Sequence, residues 1–193
     1  MTVFSTRYCR KISLLRALVA LWLAVAASST AYAEGIEVRK AALTVLDDGY
    51  VLEADFDIML TPPLKEALNK GVALYFLSEF EMIRSRWYWF NEKIVNTHQQ
   101  YRLSYNALTR QYRVGVGTLY QNFSTLGEAL EVMSRVRRSE EVEPGALRKD
   151  ATYTAAVRLR LDTTQLPKPF QINALGSREW NIGSDWYRWT VTP

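Results

Sequence analysis

The side chains able to do chemistry are few. His98 is the only histidine. A serine triad would need it as its base, and a zinc site would lean on it too. It sits in Asn96-Thr-His-Gln-Gln100, a polar stretch that reads as a loop, with nothing at ligand spacing beside it. The expectation is therefore a surface or capping histidine. Glu53, Asp55 and Asp57 alternate along one face of a predicted strand, and Glu79 and Glu81 along another. If those strands were neighbours, the carboxylates could form a calcium site or a glycosidase pair. The plainer expectation is a solvated sheet face, with arginines opposite across strands. The densest cluster is Arg84, Arg86, Trp87, Tyr88, Trp89 and Phe90. Guanidinium groups among aromatic rings bind sugars, bases or peptide segments, or stack on one another in a core. Arg84, Arg86, Trp87 and Trp89 are the expected binding residues, and Trp180, Trp186 and Trp189 could extend either reading. No catalytic residue, metal ligand set or cofactor motif emerges.

The N-terminus has the three parts of an export signal. Arg7, Arg10 and Lys11 form a basic start, followed by Arg16. An apolar run from Ala17 to Ala27 comes next, then Ala31-Tyr-Ala33. The run is short of the ~20 apolar residues of a membrane span. Lengthening it to Ile12 would place Arg16 in hydrocarbon, at a cost of a few kcal/mol. The sequence predicts a signal peptide over residues 1–33, cleaved between Ala33 and Glu34, with an uncleaved anchor as the alternative. The expected location is the periplasm, with no membrane span left after cleavage.

Cleavage changes the chemistry of what remains. Cys9, the only cysteine, lies in the basic start and leaves with it. No disulfide, thiolate ligand or cysteine nucleophile then remains. The whole chain has 24 Lys+Arg and 20 Asp+Glu. Residues 1–33 hold four of the cations and none of the acids, so subtracting them leaves 20 against 20. The basic surplus that would point to nucleic acid belongs to the leader.

Residues 34–193 are long enough for one domain. Ile36 to Leu46 and Tyr50 to Ile58 flank Asp47-Asp-Gly49, the pattern of a β-hairpin. Tyr50, Leu52, Ala54, Phe56 and Ile58 take its core face. Thr61 to Gly71 reads as a short helix capped by Thr61, with Pro62 in its first turn and Gly71 at its end. Val72 to Ile83 begins apolar on both faces and is expected to be a central strand covered on both sides. Tyr101–Tyr105 and Gln111–Val116 read as strands, and 124–138 as a helix capped by Ser124 or Thr125. Tyr153 to Leu161 alternates as a strand, and Asp185 to Val191 closes the chain as another. Leu166-Pro-Lys-Pro-Phe170 is expected to be an irregular crossover whose phenylalanine plugs the core. The expected fold is mainly β with two short helices, an antiparallel β-sandwich of about seven strands.

Five ordered motifs run through these elements: Gly71-Val-Ala-Leu-Tyr-Phe76, Arg86-Trp-Tyr-Trp89, Tyr101-Arg-Leu-Ser-Tyr105, Leu108-Thr-Arg-Gln-Tyr-Arg113 and Leu161-Asp…Leu166-Pro-Lys-Pro-Phe170. In these the chain resembles the proteobacterial domain-of-unknown-function family numbered 4390, whose members are often labelled proline-rich signal-peptide proteins. The resemblance implies an exported protein of unassigned activity. It also implies genes often placed beside a membrane sensor kinase and its response regulator. It brings no catalytic residues. The expected role is a non-enzymatic interaction or binding domain of the envelope, accessory to such a kinase system, with an envelope or inner-membrane protein as partner. A periplasmic glycan- or lipid-binding protein with an aromatic groove is the alternative, and a carboxylate-based hydrolase a third.

Overall fold

The computed structural model describes residues 35–46, 49–84, 92–141 and 151–192. Nine strands and three α-helices lie within them. They are β1 (Gly35–Leu46), β2 (Gly49–Met59), α1 (Pro62–Asn69), β3 (Leu74–Arg84), β4 (Glu92–Asn106), β5 (Gln111–Val116) and β6 (Leu119–Phe123). Then follow α2 (Leu126–Ser134), β7 (Arg135–Glu141), β8 (Tyr153–Leu161), α3 (Lys168–Gly176) and β9 (Tyr187–Val191). Single 3-10 turns precede and follow α3.

The strands form two antiparallel sheets. One has three strands in the order β1-β2-β7, and the other six in the order β6-β5-β4-β3-β8-β9. Period-two burial joins them around one core. From the small sheet come Tyr50, Leu52, Ala54, Phe56 and Ile58, the face the alternation of β2 predicts. From the large one come Leu74, Phe76, Phe80 and Met82 on β3, and Tyr153, Ala155, Val157, Leu159 and Leu161 on β8. The Tyr50 and Phe80 rings meet at 5.3 Å between centroids, and Phe80 reaches Trp189 at 6.4 Å. Burying those faces is the main stabilising force, at about 25 cal/mol per Å² of apolar surface.

The mainly β, antiparallel, sandwich-like fold agrees with the sequence, but several elements differ. The strand count is nine rather than about seven, because β6 and β7 are additional; residues 92–100 are also strand and lengthen the one expected at Tyr101–Tyr105. That polar stretch is the first half of β4, whose outer face meets solvent and needs no apolar residue. His98 is therefore an exposed strand residue rather than a loop residue. The helix expected to run to 138 stops at Ser134, and Arg135 begins β7 against β2. Val136 enters the core, Arg137 meets Asp55 and Glu53 of β2, and Arg135 pairs back to Glu131.

The third helix begins inside the proline-rich segment. Pro167 stands at its N-cap position without a side-chain cap, and Pro169 lies in its first turn, where a missing N–H costs nothing. Phe170 is half-buried and meets Trp180 at 5.2 Å. Strand β3 is central in its sheet but not covered on both faces, since Tyr75, Leu77 and Glu79 are only half-buried. Thr61 precedes α1 without capping it; its hydroxyl donates to the Glu179 carbonyl at 2.7 Å. Gly71 does end that helix, at φ +89°, a conformation open to glycine. No helix among the described residues is long and apolar enough to cross a membrane.

Candidate functional site

The acidic sets do not meet. Glu53, Asp55 and Asp57 lie on β2 in the small sheet, and Glu79 and Glu81 on β3 in the large one. Cations oppose both. Arg137 Nη2 donates to Asp55 at 2.8 Å and its Nε lies 3.8 Å from Glu53. Arg39 donates to Asp57 at 2.6 Å, and Lys93 to Glu81 at 3.1 Å. Glu79 accepts from Arg158 Nε and, at 3.2 Å on each oxygen, from Arg160. Burial pushes the Glu79 carboxyl up, but hydrogen bonds and charge from Arg160 and Arg158 more than offset this and leave it below the ordinary carboxylate value. The cross-strand pairing expected from sequence is what these five acids do.

Among the described residues, the outer face of the large sheet gathers aromatic, cationic and amide side chains. Strand register brings Tyr75 on β3, Arg102 on β4, Gly115 on β5 and Tyr120 on β6 into one row across four strands. The Arg102 guanidinium lies 5.9 Å from the Tyr75 ring centroid. Gly115 has no side chain, and the Tyr120 ring occupies that space: a Cβ there would stand 2.6 Å from Tyr120 Cε1. The ring lies over Gly115 yet stays 56% exposed, so it can offer a face to a ligand. Arg113 approaches the same ring at 6.0 Å and donates to Asn122 at 2.9 Å.

Around this row lies a groove of about 670 Å³, within the size range of ligand sites. His98, Gln100 and Arg102 alternate along one face of β4 and line it, with Tyr75 and Tyr120. The β5–β6 turn at Gly117-Thr118 and the exposed Leu119 complete the wall. No carboxylate lines the groove among the described residues. Glu79 stands opposite His98 in the register and is taken up by its two arginines. Arg102 has no ion pair among the described residues.

Of the residues singled out from sequence, Arg84 is half-buried at the end of β3, opposite Tyr153 and Glu92. Arg86, Trp87 and Trp89 lie outside the described residues, as do Ala31, Ala33 and Glu34. The C-terminal tryptophans divide. Trp180 is buried and Trp189 packs on the core, whereas Trp186 holds Arg158 at 4.4 Å over its ring. His98 joins the groove, though sequence gave it no partner. The row of Tyr75, Arg102 and Tyr120 is not legible in the sequence alone. The available signal was the alternation of Gln100 and Arg102 against Tyr101 and Leu103, but the neighbours depend on strand order.

The family model described as a domain of unknown function, DUF4390, matches residues 33–190, nearly the whole chain. The chain belongs to the DUF4390 family. The match covers both sheets, so the groove is part of the DUF4390 domain rather than an appendage to it. Neither a curated protein nor a solved structure matches the chain.

Proposed function

We propose that this DUF4390 protein is an exported, non-enzymatic binding domain of the bacterial envelope, and that its groove holds an envelope glycan. One observation carries the reading: the Tyr75–Arg102–Gly115–Tyr120 row, which sets a guanidinium and two tyrosine rings along a groove of about 670 Å³. A sugar ring has C–H groups on its faces and hydroxyls on its rim. Flat tyrosine rings cover the one, and His98 and Gln100 can bond the other. The carboxylate-hydrolase alternative is disfavoured because Glu53, Asp55 and Asp57 lie on one sheet and Glu79 and Glu81 on the other. The groove favours a small polar ligand over the protein partner expected from Arg86, Trp87 and Trp89. Export is supported by the basic, apolar and Ala-Tyr-Ala order of residues 1–33.

The test is a thermal-shift screen of envelope oligosaccharides on protein purified from the producing cell. A ligand of the folded state raises the midpoint. The rise is expected to vanish in Tyr120→Ala, whose own midpoint stays near the wild type because the side chain is exposed. If no oligosaccharide moves the midpoint, the glycan reading is wrong. N-terminal sequencing of the same sample should begin at Glu34, and a sample beginning at Met1 would remove the cleavage proposal.

A further inference from the structure

Resting on that reading of the groove, we infer that the glycan it takes is acidic, bearing a carboxylate that Arg102 receives. The argument is one of charge balance. Arg158 and Arg160 on this face share Glu79, and Lys93 takes Glu81, while Arg113 is held by Asn122 and the Tyr120 ring and does not line the groove. Arg102 stands apart in a lining without a carboxylate. Its described contact there is the Tyr75 ring, 5.9 Å from the guanidinium carbon, which takes none of its N–H donors. A cation in a concave wall focuses potential into the groove, and its fork of donors matches a carboxylate bidentately.

The amount of charge limits the ligand further. One guanidinium balances one carboxylate, whereas a phosphate brings about 1.5 to 2 negative charges. A nucleic-acid backbone would need a run of cations, and residues 34–193 are balanced at 20 of each sign. The tyrosines and amides of the same row suit a sugar ring carrying that single acid group. A uronic-acid-type sugar meets both demands.

The deciding experiment compares a uronic-acid trisaccharide with its carboxyl-reduced neutral counterpart, which keeps the ring stereochemistry and linkage. Affinities for the full exported protein are measured by calorimetry at low and high salt. The acidic sugar should bind about tenfold more tightly at low salt, with the gap narrowing as salt screens the exposed pair. Arg102→Gln, at an exposed strand position, should erase the gap, so that the acidic and neutral sugars bind the variant equally. Equal binding of the two sugars by the wild type overturns the acidic inference while the glycan groove stands. A gap that survives Arg102→Gln overturns the role given to Arg102. Binding of neither sugar overturns the inference and the glycan groove together.

Discussion

Glu79 is the acid most firmly engaged by its surroundings. Two guanidinium groups hold a carboxylate that is only 19% exposed. One of them, Arg158, is itself stacked on Trp186. Because these contacts lower its proton affinity in the folded state, the sign of the pH effect follows. The contribution is present in full above about pH 4.5, the ordinary glutamate value, and is lost as pH falls through the lower folded-state value. Glu79→Gln should cost about 1 kcal/mol at pH 7, since both arginines keep some access to water. The difference from wild type should shrink when denaturant unfolding is repeated below pH 4. A difference that is the same at pH 7 and pH 3.5 would mean that the loss comes from packing and not from charge. Part of this was readable in the sequence. Glu79 at alternating spacing with Glu81 marks a polar strand face, and arginines across strands are its ordinary company. That the company is Arg158 and Arg160 depends on β8 lying beside β3, a pairing of residues about 80 positions apart.

Among elements, the β5–β6 hairpin sets the groove. Its turn is made by Gly117 at φ +58°, and its second strand is a sheet edge. Gly115 permits the Tyr120 ring to lie on the backbone of β5. Gly115→Ala separates two roles for that glycine. The new methyl would meet the end of an exposed side chain on an edge strand, which can swing away, while alanine reduces unfolded-state freedom. Stability should therefore change by less than about 1 kcal/mol. Glycan affinity should fall, because the platform is displaced. A stability loss of several kcal/mol would make Gly115 a packing residue, and unchanged affinity would remove Tyr120 from the site. This hairpin was half legible. The strand Gln111–Val116 stands out by its alternation, but Leu119–Phe123 has no apolar period, because four of its five residues face water. The same physics hid the first half of β4. The α2–β7 junction was hidden for another reason: Val136 and Arg137 satisfy helical spacing as well as strand spacing. Only the acids of β2 opposite Arg135 and Arg137 decide between them.

At the scale of the molecule, the small sheet depends on the large one. Three strands with a single apolar face gain their stability by covering another surface. Tyr50 on β2 and Phe80 on β3 form the central contact, and Trp189 on β9 extends it toward the far edge. Phe80 is 1% exposed, so no water replaces the contacts its ring would lose. Phe80→Ala should cost about 3–5 kcal/mol, the usual penalty for emptying such a site. The form of the transition is more telling than its midpoint. Because one core joins both sheets, backbone circular dichroism and tryptophan fluorescence should report the same midpoint in the variant as in the wild type. Two separated transitions would show that the small sheet unfolds alone. A groove on the outer face of the large sheet would then survive while β1, β2 and β7 are lost. Coincident transitions would instead tie the row of Tyr75, Arg102 and Tyr120 to the whole core, so that a core substitution far from the groove lowers the population able to bind.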